Sequence, residues 1–205
     1  MSAFALGWSA KPRALGLLQL REDPQYRRIP HDQRVAFVEA ALEDGHAMAK
    51  RIVGEYGSDP YVIASVCNVP VRCSQSDAGF GSTVIYAEYN ARPPAITLYL
   101  PAIQALDRLI VQQGGSCGGS VGTLPIFLAH ELYHHFDGLR GRARLSRRHA
   151  VRIFSVGTWH WTSGVSSLCE IAAGAFAQEL LELPFHPKHL DSFLRVDVVP
   201  ELEGT

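Results

Sequence analysis

Two histidines four positions apart, His130 and His134, enclose Glu131 in the stretch Leu128-Ala129-His130-Glu131-Leu132-Tyr133-His134. On a helix, residues four apart lie on one face, a turn above each other. Two imidazoles can then reach a single metal ion. A glutamate at the intervening position lies close enough to take a proton from a metal-bound water. The pattern is H-E-x-x-H, and the ion it predicts is Zn2+. Apolar residues, Ile126 to Ala129, lead into it, so the helix is expected to be buried, where two His and a Glu need partners. The elongated form of the motif is absent, because Asp137 and Arg140 stand where it requires Gly and a third His.

Two histidines alone do not make a catalytic zinc site, which typically has three protein ligands and one open position. Glu170 is the expected third ligand. It sits in a run of small and apolar residues, Leu168, Ala172, Ala173, Phe176, Ala177 and Leu180, where a carboxylate is costly unless paired or bound to metal. Ala172, Ala173 and Gly174 are expected to let this helix approach the motif helix closely. A surface glutamate on an amphipathic helix is the structural alternative. His135, His149 and His160 are competing ligands. His160, between Trp159 and Trp161, is also a candidate catalytic group that polarises a carbonyl or stabilises an oxyanion, or else a packed loop histidine. Tyr99 and Tyr133 are further oxyanion candidates.

These side chains need elements to hold them. Pro125 suits a first helical turn and Gly138 a helix end around the motif. Asp32 is a plausible N-cap for a helix over Gln33 to Tyr56, where Val35, Val38, Ala41, Leu42, Ala49, Ile52 and Val53 recur at helical spacing. Gly45 is expected to weaken its middle, and His46 to be a surface or packing residue. A short helix follows at Tyr61 to Cys67. Strands are expected at Val69–Cys73, Thr83–Tyr89 and Ala95–Leu100, with an edge on the last open to an extended peptide. A helix over Pro101 to Gln112 and a glycine-rich loop, 113–122, lead to the motif. That loop lacks the Gly-Lys-Ser/Thr ending of a phosphate cradle. The Glu170 helix is expected over Val165 to Leu183, ended by Pro184, with a short helix at Lys188 to Leu194. The fold class is α+β, helices on a small mixed or antiparallel sheet. An N-terminal extension covers 1–32 and a single domain 33–205.

The two helices together resemble the ImmA/IrrE-type small gluzincins. That family pairs an A-H-E-L-x-H helix with a helix reading E-x-x-A-N-x-F-A-x-x-L-L-x-P. Glu170, Ala173, Phe176, Ala177 and the Leu181 to Pro184 region correspond in type or position. Gly174 replaces the usual Asn, and Pro184 falls one residue late. The resemblance spans roughly residues 33 to 184. It implies a zincin-like fold, zinc on His130, His134 and Glu170, and Glu131 as general base. It also implies hydrolysis of peptide bonds in a protein or peptide substrate. The rival reading is a non-catalytic module in which zinc holds two helices together for binding another protein, with His149 or His160 as fourth ligand.

Composition bounds the alternatives. The chain has 205 residues, with 19 Lys and Arg against 20 Asp and Glu. That balance offers no electrostatic case for a dedicated nucleic-acid binder. The exception is Arg140, Arg142, Arg144, Arg147 and Arg148, which read as a solvated basic loop, or alternatively as a contact for an acidic partner or nucleic acid. Cys67, Cys73, Cys117 and Cys169 form no C-x-x-C pair and suit a reducing cytoplasm. No signal-peptide pattern opens the chain, and no apolar run approaches spanning length, so no membrane partner is expected.

Overall fold

A computed structural model describes residues 11–76, 79–80, 83–115 and 122–194. Its first helix, α1 (Pro12–Arg21), has proline in its opening turn and buries Leu15, Gly16 and Leu20. Two short 3-10 turns then lead into α2 (Arg34–Tyr56), whose buried stripe is Val38, Ala41, Gly45, Met48, Ala49 and Ile52. The residue capping α2 is Gln33 rather than Asp32, which lies within a 3-10 turn over His31–Gln33. Asp59 caps α3 (Pro60–Val66), accepting from the N–H groups of Tyr61 and Val62.

The principal sheet is small and mixed. β1 (Val71–Ser74) pairs in parallel with β5 (Pro94–Tyr99), which also pairs antiparallel with β4 (Ala87–Ala91). β5 is therefore the centre, and the exposed edge expected on it belongs to β4 and β1. The predicted strand over Thr83 to Tyr89 is two elements. β3 (Thr83–Val84) turns back onto β2 (Gly79–Phe80), and β4 begins at Ala87. From Tyr99 the chain runs directly into α4 (Leu100–Gln112), which buries Ile103, Leu106 and Ile110. The glycine-rich loop lies largely outside the described residues, at 116–121.

Two buried helices complete the core. α5 (Leu124–Leu139) carries the motif, and α7 (Ser167–Leu180) carries Glu170. Between them come α6 (Leu145–Arg148) and an antiparallel hairpin of β6 (Val151–Val156) and β7 (Trp159–Ser163). α7 stops three residues before the expected end. Leu183 N–H donates to the Gln178 carbonyl at 2.9 Å, with Glu182 at φ 50°, closing the helix before Pro184. A 3-10 turn over Pro187–Leu190 and α8 (Asp191–Leu194) follow. The chain is α+β, and no described helix is long and apolar enough to cross a membrane.

α7 is sandwiched between α2 and α5, and the small residues on it serve α2 more than expected. Gly45 does not weaken α2; it is where the two helices meet. A Cβ there would overlap the Ala172 carbonyl oxygen and stand 2.9 Å from the Ala175 side chain. The loss in helix propensity is offset by the closeness it permits. Gly174, expected to face the motif helix, instead makes room for the ring of His186, which would lie 2.5 Å from a Cβ at that position.

A polar cluster locks α2 to the back of the motif helix. Asp44, largely buried, accepts from the Tyr133 hydroxyl at 2.9 Å and Arg140 Nη1 at 2.7 Å, and also pairs with Arg148. Burial opposes ionisation of Asp44, but its hydrogen bonds to Arg140 and Tyr133 outweigh it and hold the carboxyl below its ordinary value of 3.8. A depressed folded-state pKa gives stability that is present above the unfolded pKa and lost as pH falls through the folded one. Asp44→Asn should therefore lower stability by about 1–3 kcal/mol at neutral pH. The variant should also lose part of the acid limb expected of the parent as pH falls below 3.8. Thermal melting of both proteins across that range checks this. Parallel acid limbs would remove Asp44 as their source.

Candidate metal centre

Each ligand helix is fixed at the end that matters. At the start of α7, Asp23, just beyond α1, accepts from the Ser167 backbone N–H at 2.8 Å and the Ser166 hydroxyl at 3.1 Å. It satisfies an N–H that the helix itself leaves unpaired. Glu170 follows one turn later. At the far end of α5, buried Asp137 accepts from the Leu145 N–H at 3.0 Å and from the Cys169 thiol at 3.7 Å. The residue preceding Glu170 is thereby tied to the motif helix. Burial, the leading cause, and the nearby Asp137 push the Cys169 thiol up to about 11, which keeps it in its neutral donor form.

His130, His134 and Glu170 converge as expected. His130 Nε2 lies 3.3 Å from His134 Nε2 and 3.1 Å from Glu170 Oε2, and His134 Nε2 lies 3.4 Å from Glu170 Oε1. Zinc bonds of about 2.0–2.2 Å in a tetrahedron place neighbouring ligand atoms about 3.3–3.6 Å apart. The three separations, 3.1, 3.3 and 3.4 Å, lie near that edge, so the group could hold a single metal ion. Among the described residues this group has three members and no fourth His, Cys, Asp or Glu.

The local charges suit a cation. Although the Glu170 side chain is 47% exposed, partial desolvation disfavours its carboxylate; hydrogen bonds from both imidazoles outweigh it and hold the group far below the usual carboxylate range. Burial likewise opposes protonation of His130, and Glu170 overcomes it to raise the pKa. Glu131, adjacent on the helix, is 8% exposed. Burial is the main influence on it and pushes its carboxyl up, against the pull of His130 and His134. It is placed as a carboxylate that can hold a proton.

Cavities open on both sides of this group. One, of about 310 Å³, is lined by Tyr86, Ile126, Phe127, His130, Glu131 and Glu170. The other, of about 510 Å³, is lined by Tyr89, Glu131, His134, Arg144 and Glu170. Ala87 of the edge strand β4 borders both. The cleft therefore runs along a sheet edge and passes the candidate metal position on each side.

The remaining sequence candidates go elsewhere. His160 is exposed on the hairpin, with Nδ1 2.9 Å from the Ser155 hydroxyl, and lines neither cavity. His149 packs edge-on against Phe37, and His135 Nδ1 meets the Tyr89 hydroxyl at 3.0 Å. Tyr133 spends its hydroxyl on Asp44, and Tyr99 hydrogen-bonds Glu88. His46 contacts Glu179 at 3.0 Å, as a packing residue. The lining includes residues that sequence reasoning did not select: Tyr86, Lys188 and His186. Burial, with His189 nearby, lowers the His186 pKa to about 4, so it is neutral. Its Nδ1 accepts from the Lys188 backbone N–H at 3.2 Å. No periodicity marks these three residues, because each is brought in by a turn.

No protein-family model, no curated protein and no solved structure matches the chain.

Proposed function

We propose that this protein is a zinc-dependent metallopeptidase with a zincin-like fold, of the ImmA/IrrE-type small gluzincin kind. The observation that carries the reading is the triangle of His130, His134 and Glu170 ligand atoms, with Glu131 beside it, inside a cleft open in both directions. His130, His134 and Glu170 would hold the ion. Zinc supplies Lewis acidity there, lowering the pKa of water towards about 7 and polarising a carbonyl.

The chain's own residues do the rest. Glu131 accepts a proton from the attacking water and returns it to the departing amine. Its raised pKa favours that exchange, since a carboxylate with an ordinary pKa holds the proton less well at neutral pH. The edge of β4 offers backbone groups to an extended peptide. The apolar lining of Ile126, Phe127 and Leu106 suits a hydrophobic side chain on one side of the scissile bond.

The rival, a zinc-stapled interaction module, calls for a fourth protein ligand. Neither of its nominees, His149 and His160, belongs to the cluster. The test is metal content followed by turnover. Purified protein should contain one zinc per chain and cleave members of a quenched peptide library. A chelator should abolish cleavage, and zinc should restore it. A fully loaded protein that cleaves nothing would favour the interaction module. A protein that takes up no zinc would end both readings.

A further inference from the structure

The β6–β7 hairpin has an aromatic face that is largely exposed among the described residues. Its register pairs Phe154 with Trp161 and Val156 with Trp159, so these four side chains share one face. They are exposed by 52%, 66%, 60% and 78% respectively. The Phe154 and Trp161 rings lie 6.2 Å apart. Gly157, at φ 57°, makes the turn, which places Val156 and Trp159 at the apex. Folding disfavours exposing large apolar groups together, and such a patch marks an interaction site.

The charges around it are one-sided. Between Asp137 and Glu170 the chain has six arginines and no Asp or Glu. Of these, Arg140 and Arg148 are held by Asp44, and Arg144 donates to the Gly138 carbonyl at 3.0 Å. Arg142, Arg147 and Arg152 are exposed. From the other side Arg28 donates to the Ile153 carbonyl at 2.8 Å, adding a further cation at the hairpin. Near Ile153 the strand register shifts, so that Arg152 joins Thr162, His160 and Ser155 on the face opposite the tryptophans.

We propose that this hairpin docks the protein apex-first onto an anionic lipid surface, with Trp159 and Val156 at the tip entering the interface, Trp161 and Phe154 following on one face, and Arg152 on the other face meeting the headgroups. Indole rings favour the headgroup level of a bilayer, and basic residues beside them are drawn to anionic lipid. The segregation of charge from aromatic rings decides against single-stranded nucleic acid, whose platforms combine stacking rings with a basic groove along the backbone. A second copy of this chain would bring two arginine-rich segments together, which like-charge repulsion opposes. This departs from the expectation of no membrane partner, which rested on the lack of a spanning segment. The proposal is independent of the peptidase reading.

Vesicle flotation tests it. The full chain should float with phosphatidylcholine vesicles containing phosphatidylserine, weakly or not at all with phosphatidylcholine alone, and less as salt rises. Trp159→Ser with Trp161→Ser should cut binding by more than about tenfold, with zinc content and melting temperature unchanged, because the face is outside the core. Arg147→Gln with Arg152→Gln should reduce the preference for anionic vesicles. In a Trp8→Phe background, brominated lipid should quench the fluorescence of the remaining tryptophans. Absence of binding at low salt would overturn the proposal, as would full binding by the double tryptophan variant. A tryptophan-dependent affinity for a single-stranded oligonucleotide without vesicle binding would overturn it in favour of nucleic acid. Tryptophan-dependent dimerisation without vesicle binding would do so in favour of a second copy.

Discussion

Glu170→Ala is expected to weaken zinc binding by more than about 100-fold. Partners that only orient a zinc ligand are typically worth 10–100-fold in affinity, and a direct ligand should exceed them. The carboxylate spans both imidazoles, one oxygen at 3.1 Å from His130 and the other at 3.4 Å from His134. Its loss leaves two neutral donors, which do not neutralise a dication. The helix should survive the change. Its start is held by Asp23, and Glu170 is half exposed rather than a core residue. Competition titration against a chromophoric chelator measures the affinity, and circular dichroism of the metal-free proteins checks the fold. Parent-like affinity in a folded variant would remove Glu170 from the site.

That test matters because the site's framework was legible from local signals, whereas its surroundings were not. His130, Glu131 and His134 are legible because helical spacing alone puts two residues four apart on one face. Glu170 is legible because a carboxylate among Leu168, Ala172, Ala173 and Phe176 is out of place without a partner. Both arguments need only one helix at a time. The cleft needs several elements at once. Tyr86 arrives from the link between β3 and β4, and His186 and Lys188 from the turn after α7. The aromatic neighbours that single out His160 in the sequence belong to a projecting hairpin that carries it away from the cleft.

The fold divides in the same way. Long periodic helices such as α2 and α4 follow from their apolar spacing, and the α+β class follows with them. The parallel pairing of Val71–Ser74 with Ile96–Tyr99 does not, since partners distant in sequence leave no mark on either strand. α1 leaves no clear period in the sequence, because it buries only Leu15, Gly16 and Leu20. Gly45 looks like a local weakness in the sequence because helix propensity counts only the helix it sits in. The Ala172 carbonyl it accommodates lies on another helix, far along the chain.

Glu131→Gln is the change that separates chemistry from architecture. Glutamine keeps the shape of the side chain but neither takes up nor returns a proton at neutral pH. General acid–base catalysis contributes about 10²–10⁴-fold, so kcat against a cleavable peptide should fall by that factor, roughly 3–5 kcal/mol of barrier. KM should change little, because Glu131 acts on the water rather than on the peptide. The metal ligands are untouched, so one zinc per chain should remain. Stability should stay the same or rise, since the buried carboxyl is disfavoured where it stands and a neutral amide removes that cost. Steady-state kinetics, metal analysis and melting of the same preparation read all three outcomes. A zinc-loaded, folded variant with undiminished turnover would exclude Glu131 as the proton carrier. A variant inactive because it has lost its zinc would assign Glu131 to holding the site together instead. Only loss of turnover with zinc retained fits a glutamate that moves the proton, and it would distinguish a peptidase from a zinc-stapled binding module.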